Sequence, residues 1–393
     1  MQTKQENKMN TFNAIRAFRI FLGLVSLAVL SFPQTLNAQQ NWHAKVGAQT
    51  PDMGRQALAF LPNELWIHSG DSVTWTFNSD EIHTVSFLVV GQIFPPFPVG
   101  CPGFNFGVAT FDGSTCVTTP PMVKGQPTFT VSFPTAGNYK VQCLVHNTMN
   151  GVVHVLDASL PLPHSQAFYD AEAARETRDL LTDTDLATSS DMKGMNDHAT
   201  SSDMKGMKMS HTMDSISVRV LAESKRHSAD KPKLAASSEH NAEANAQVTA
   251  GVGEIASTPG GLQTNSLVRF VKGKIEIHAG DTVEWRNSDP EEPHTITFGP
   301  EPADLFDPSA NVTLDPDGGL RAVLNSPSDT VHSGFILQAL DDQPGTPVNS
   351  TPNNSIALNH TRFRVTFMTP GTYNYICALH NDLGMVGQVI VLP

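Results

Sequence analysis

Near the C-terminus the chain reads Cys377-Ala-Leu-His380-Asn-Asp-Leu-Gly-Met385, and an earlier segment reads Cys143-Leu-Val-His146-Asn-Thr-Met149, so one order of side-chain chemistry occurs twice. A thiolate and an imidazole bind copper strongly, while a weakly held Met sulfur tunes the metal without imposing the tetragonal geometry that Cu(II) prefers. A site that both oxidation states tolerate is suited to moving electrons. Such a His2Cys set needs a second imidazole from another strand. His83, in Glu81-Ile-His83-Thr-Val85, and His294, in Pro293-His294-Thr-Ile296, occupy matching positions shortly after Trp75 and Trp285. The candidate ligand sets are therefore His83, Cys143, His146 and Met149, and His294, Cys377, His380 and Met385.

The elements that must position these residues are also repeated. Ile67-His-Ser-Gly-Asp-Ser-Val-Thr-Trp75 matches Ile277-His-Ala-Gly-Asp-Thr-Val-Glu-Trp285, and Phe129-Thr-Val-Ser-Phe133 with Gly137-Asn-Tyr139 matches Phe363-Arg-Val-Thr-Phe367 with Gly371-Thr-Tyr373. Apolar and polar residues alternate within each piece, and Gly-Asp or Pro-Thr-Ala-Gly punctuation separates the pieces, which is the pattern of half-buried antiparallel strands. Several such strands per unit predict an all-β protein of two β-sandwiches, one over residues 43–157 and one over 250–393. Each Cys follows a Tyr-x-x-x-Cys strand and each Met opens a Met-x-Gly-x-Val-x-Val strand, so three ligands come from one loop between neighbouring strands. His68, His278 and His154 read as solvent-facing strand residues.

Length and composition agree with this layout. The chain has 393 residues, 39% hydrophobic and 16% charged, enough for two cores with polar connecting segments. Residues 1–38 place Lys4, Lys8, Arg16 and Arg19 before the apolar run Ile20 to Leu30 and then small and polar residues up to Ala38. That order predicts a signal peptide, cleaved after Ala38, and a periplasmic or secreted protein with no membrane span in the mature chain. Of the four cysteines, the repeated motif uses two, and Cys101 and Cys116 are expected to form a disulfide in an oxidising compartment. A net charge of -13 argues against nucleic acid and favours a redox partner protein with a basic surface.

Residues 158–249 differ in character from both units. Ser165 to Leu181 predicts a short helix capped by Ser165, and the remainder is polar and poor in aromatic residues, a linker composition. Within it Ala187-Thr-Ser-Ser-Asp-Met-Lys-Gly-Met195 recurs as Ala199-Thr-Ser-Ser-Asp-Met-Lys-Gly-Met207. The thioethers of Met192, Met195, Met204, Met207, Met209 and Met213 suit Cu(I), and a plain spacer accounts for the repeat equally well.

Both units resemble the cupredoxins, the blue copper family that includes plastocyanin, pseudoazurin and amicyanin. The second unit carries the plastocyanin-like spacing Cys377-x2-His380-x4-Met385 and the phrase Gly280-Asp-Thr-Val-Glu-Trp285 ahead of Pro293-His294-Thr; the first has the shorter, amicyanin-like Cys143-x2-His146-x2-Met149. The resemblance implies Greek-key sandwiches, each with a type 1 copper near one end, and implies that His146 and His380 are partly exposed electron ports.

The reading is accordingly an electron-transfer protein with two type 1 copper sites and no enzymatic activity. A multicopper oxidase or nitrite reductase fits less well: Gln142 and Ile376 stand where those enzymes place a His before the Cys, and no His-x-His pair occurs. A copper-binding, storage or delivery protein that uses the Met-rich linker is the alternative.

Overall fold

The computed structural model describes residues 39–92, 101, 103–182, 244–315, 318–338 and 360–393. The signal-peptide reading and the Met-rich repeat lie outside them. The first unit contains β1 (Asn41–Gln49), β2 (Arg55–Leu61), β3 (Glu64–His68), β4 (Ser72–Phe77) and β5 (Ser86–Phe87). It continues with β6 (Val108–Thr110), β7 (Val117–Thr118), β8 (Phe129–Ser132), β9 (Gly137–Gln142) and β10 (Asn150–Leu156). Helix α1 (Gln166–Thr182) follows. The second unit begins with β11 (Ala246–Thr258), β12 (Gly261–Val271), β13 (Lys274–His278), β14 (Thr282–Ser288) and β15 (Thr297–Phe298). Its remaining strands are β16 (Thr313–Leu314), β17 (Leu320–Leu324), β18 (Val331–His332), β19 (Arg362–Phe367), β20 (Gly371–Ile376) and β21 (Val386–Leu392).

Each unit is a Greek-key sandwich. Five strands, in the order β3-β10-β9-β5-β7, form one face of the first, and β13-β21-β20-β15-β18 form the equivalent face of the second. Alternation explains why these segments become strands: in β1, Trp42, Ala44 and Val46 point inward while Asn41, His43 and Lys45 point to solvent. One core gathers around Trp42, Trp75, Phe87, Phe129 and Phe133, and the other around Trp285, Phe298, Phe363, Phe367 and Tyr375. In both, the tyrosine four residues before the Cys pins the strand entry, since Tyr139 Oη donates to Thr135 O and Tyr373 Oη donates to Thr369 O, each at 2.9 Å.

The opposite faces of the two sandwiches join. β12 pairs antiparallel with β2, Thr264 opposite Leu58 and Leu267 opposite Arg55, so a single eleven-stranded sheet runs through both units. β2 is buried on both sides, and its alternation sorts the two environments. Leu58 and Phe60 enter the first core, while Ala57, Ala59 and Leu61 pack with Ala173 and Leu180 of α1. Small side chains let the helix lie close to the sheet. Tyr169 ties the helix down, its hydroxyl donating to Trp66 O at 3.0 Å and accepting from Trp66 N at 2.8 Å, and Gln263 Nε2 of β12 donates to Glu176 at 3.2 Å. The helix that sequence places in the linker is thus part of the folded body.

The β11–β12 hairpin projects from the second unit onto the first. Its tip has a two-residue turn, Pro259-Gly260, and docks on two asparagines: Asn63 Nδ2 donates to Thr258 Oγ1 at 2.6 Å and Leu262 N to Asn150 Oδ1 at 3.2 Å. A Cβ on Gly260 would lie 2.5 Å from Asn63 Oδ1, so the approach requires glycine.

Cys101 and Cys116 are disulfide-bonded, with Cα atoms 5.5 Å apart. His154 departs from the expectation of a solvent-facing residue. Its ring stacks on Trp66 at 4.0 Å between centroids and contacts Glu64 at 3.1 Å, because β10 lies beside β3 in parallel register. His68 is half-buried, its Nε2 2.7 Å from Leu160 O, whereas His278 is exposed.

Candidate metal centres

The two Cys loops sit at corresponding places, between β9 and β10 and between β20 and β21. Strand pairing brings the loop ends together, and Cys143 N donates to Met149 O and Cys377 N to Met385 O, both at 3.0 Å. The shorter first loop closes with Met149 N donating to His146 O at 3.1 Å; the longer second loop adds Leu383 N to His380 O at 3.1 Å and Gly384 N to Asn381 O at 2.9 Å. Despite the difference in length, the same donor atoms emerge at the same place.

The distant histidines arrive on irregular segments held by two backbone hydrogen bonds each. His83 N donates to Met122 O at 2.9 Å and Met122 N to His83 O at 2.8 Å; His294 exchanges the equivalent pair with Ile336 at 3.1 and 2.8 Å. His83 Nδ1 then lies 3.1 Å from His146 Nδ1, and Cys143 Sγ lies 3.6 Å from His146 Nδ1. In the second unit His294 Nδ1 is 3.1 Å from His380 Nδ1, while Cys377 Sγ is 3.5 Å from His380 Nδ1 and 3.9 Å from His294 Nδ1. The structure therefore brings together two His-Cys-His groups, all buried. Met149 and Met385 are fully buried at the ends of the same loops.

Residues next in sequence to the histidines complete each group. Thr84 N donates to Cys143 Sγ at 3.3 Å and Thr295 N to Cys377 Sγ at 3.4 Å. The hydroxyls of the same two threonines accept from Leu144 N and Ala378 N, both at 2.7 Å, which locks each loop against the segment bearing the first His. Ser79 Oγ lies 2.9 Å from His83 Nε2, a contact that leaves Nδ1 free to face the sulfur. Glycines make room for the rings. A Cβ on Gly47 would meet His83 Nε2 at 2.5 Å, and one on Gly251 would meet His294 Nε2 at 1.9 Å.

Burial alone would raise both thiol pKa values, but the adjacent imidazoles outweigh it. His146 chiefly, with His83, holds Cys143 well below the usual thiol range, and His380 and His294 do the same for Cys377. Each group presents a cysteine sulfur and two imidazole nitrogens, dry and mutually close, with no hard oxygen donor among the three. Nitrogen and sulfur ligands stand about 2.0 and 2.3 Å from a small cation, and the observed separations place all three donors around one such ion. This donor set fits copper.

One implication of the resemblance is overturned. His146 and His380 are not partly exposed ports; each is 1% exposed. The hairpin and the segment preceding His294 cover the end of the first sandwich, and the first unit covers the second in return. Thr148 N donates to Glu291 Oε1 at 3.0 Å, Thr148 Oγ1 lies 2.7 Å from Thr264 Oγ1, and Arg269 Nη1 donates to Leu383 O at 2.7 Å while its Nη2 stands 3.8 Å from Asp52 Oδ2.

The sequence reading passed over the residues facing these imidazoles. Glu292 Oε1 lies 3.0 Å from His146 Nε2, and His380 Nε2 lies 3.3 Å from Glu292 Oε2 and 3.4 Å from Glu81 Oε2. A signal for them exists, since Glu-x-His occurs in both units as Glu81-Ile-His83 and Glu292-Pro-His294. Burial and the Glu292 charge push Glu81 up to about 7.

The profile of the copper binding proteins of the plastocyanin/azurin family matches residues 48–156 and 257–392, more than half of the chain. Among solved structures, an oxidized amicyanin variant is similar at 22% identity, covering 30% of this chain and 82% of its own, with a TM-score of 0.21. Oxidized plastocyanin from Dryopteris crassirhizoma is similar at 19% identity, covering 37% of this chain and 99% of its own, with a TM-score of 0.18. With both matched regions holding a buried His-Cys-His group, the chain belongs to the plastocyanin/azurin family of copper-binding proteins, as two tandem cupredoxin domains.

Proposed function

We propose that the protein is an electron-transfer protein working outside the cytoplasm, with a type 1 copper centre in each domain and without enzymatic activity. The observation that carries this reading is the duplicated, buried His-Cys-His group, each with a fully buried methionine at the end of the same loop. His83, Cys143, His146 and Met149 would hold one copper, and His294, Cys377, His380 and Met385 the other, with the domains bounded at 43–157 and 250–393. Bound there, copper supplies a one-electron couple.

The chain's own contribution is positioning. Ser79 orients the His83 ring, the Thr84 and Thr295 amides stabilise the sulfurs as thiolates, and the surrounding core excludes water. A location outside the cytoplasm is supported by the leader-like order of residues 1–38 and by the Cys101–Cys116 disulfide. Among the described residues no helix is long and apolar enough to cross a membrane.

The test is the visible spectrum of the copper-loaded chain during repeated reduction and reoxidation. Two strong sulfur-to-copper bands that bleach and return support the reading; a colourless loaded protein would end it.

A further inference from the structure

Four side chains meet where the domains touch: Glu81 and His146 from the first, Glu292 and His380 from the second, all buried. One donor atom each from Glu81, His146 and Glu292 lie within 4.8 Å of one another. His380 Nε2 stands at 3.4 Å from the Glu81 carboxylate and 3.3 Å from that of Glu292. These contacts are close, yet His146 Nε2, His380 Nε2 and Glu292 Oε1 have no directed hydrogen bond. An unpaired buried polar atom is costly, and here three occur side by side.

We propose that this cluster is a third metal site, distinct from the two His-Cys-His groups, that takes a divalent first-row cation such as Zn(II) or Cu(II). Donor atoms of Glu81, His146 and Glu292 lie close enough together to share one ion, and His380 Nε2 borders them at 3.4 Å from Glu81 and 3.3 Å from Glu292. Two nitrogens and two carboxylates form a borderline-to-hard set without sulfur, unlike either Cys group. A dication also neutralises two carboxylates that would otherwise repel in a dry interior. Each imidazole then has two roles, with Nδ1 facing its own Cys and Nε2 facing the shared ion. Binding through Nε2 releases that nitrogen's proton to solvent. The site is complete only when the domains dock, because each supplies one carboxylate and one imidazole.

The proposal shares His146 and His380 with the copper reading above, and the experiment separates the two. Full-length wild type, Glu292→Gln, Glu81→Gln and the double variant Cys143→Ser/Cys377→Ser are stripped of metal, loaded with Cu(II), desalted and counted, with circular dichroism confirming the fold. Each Glu variant is expected to hold one ion fewer than wild type while keeping its visible bands. The double Cys variant is expected to lose the bands but keep the ion that Glu292→Gln removes. Counting by difference cancels any metal on the Met-rich segment. In wild-type crystals soaked in Zn(II), an anomalous peak between Glu81 and Glu292 is expected. Equal metal counts in wild type and both Glu variants, with no such peak, overturn the site and leave Glu292 as a carboxylate between two imidazole N–H groups. Loss of the visible bands in wild type with the third ion still bound would instead defeat the copper reading alone.

Discussion

Nε2 of His146 lies 3.0 Å from a carboxylate oxygen of Glu292, although His146 belongs to the first domain and Glu292 to the second. The contact reorganises what the ligand loops can do. A loop histidine at the open end of a lone sandwich would meet solvent and a partner protein. Here both such histidines meet the neighbouring domain, so the two centres face each other across a buried interface joined by a continuous sheet.

Replacing Cys377 by Ser is expected to remove the second domain's visible band, leaving about half of the total absorption, while far-ultraviolet circular dichroism stays the same. The hydroxyl is similar in shape but does not supply a thiolate at neutral pH. A spectrum identical to wild type would show that Cys377 is not a ligand.

Gly251 has φ of +73° and its missing Cβ would fall 1.9 Å from His294 Nε2. Gly251→Ala combines a left-handed backbone with a displaced ring, and a loss of about 2–3 kcal/mol is expected. Copper in the second domain should fall while the first domain's band remains. Denaturant titration and metal analysis read both effects; an undisturbed second site would mean that the hairpin moves instead of the imidazole.

Burial pushes the Glu176 carboxyl up to about 7. Its folded-state pKa is therefore above the unfolded value, so the folded protein binds the extra proton between about pH 4.5 and 7, and stability falls as pH rises through that window. Glu176→Gln keeps an acceptor for Gln263 and removes the titration. It is expected to stabilise the protein by on the order of 2 kcal/mol at pH 8 and by little at pH 4, read from melting at the two values. Equal effects at both would mean that the carboxyl titrates normally.

Deleting residues 187–213 takes out all six methionines of the repeat. If their thioethers capture Cu(I), the deletion lowers Cu(I) stoichiometry and leaves both visible bands in place. Unchanged Cu(I) binding identifies the segment as a spacer.

Much of this protein is written locally in its sequence. The period-two alternation, the Gly-Asp turns and the Tyr-x-x-x-Cys strands specify two sandwiches, because a strand's inward face is set by which of its own residues are apolar. The candidate ligand sets are equally legible: a Cys, a His and a Met within one loop are neighbours by chain connectivity, and His83 and His294 could be matched through the duplication. The pairing of Cys101 with Cys116 followed from having two cysteines left in one loop. What the sequence did not reveal is which surfaces the two sandwiches turn to each other. The pairing of β2 with β12, the seat of α1 on Ala57 and Ala59, and the meeting of Glu81, His146, Glu292 and His380 depend on contacts between distant segments whose local patterns fit an exposed surface just as well. Docking removes water from those surfaces at once, and only then do two loop histidines change from solvent-facing groups into buried ones. Sequence by itself determined the two Cys-His-Met loops and their matching histidines; the tertiary structure decided that the two His-Cys-His groups face one another.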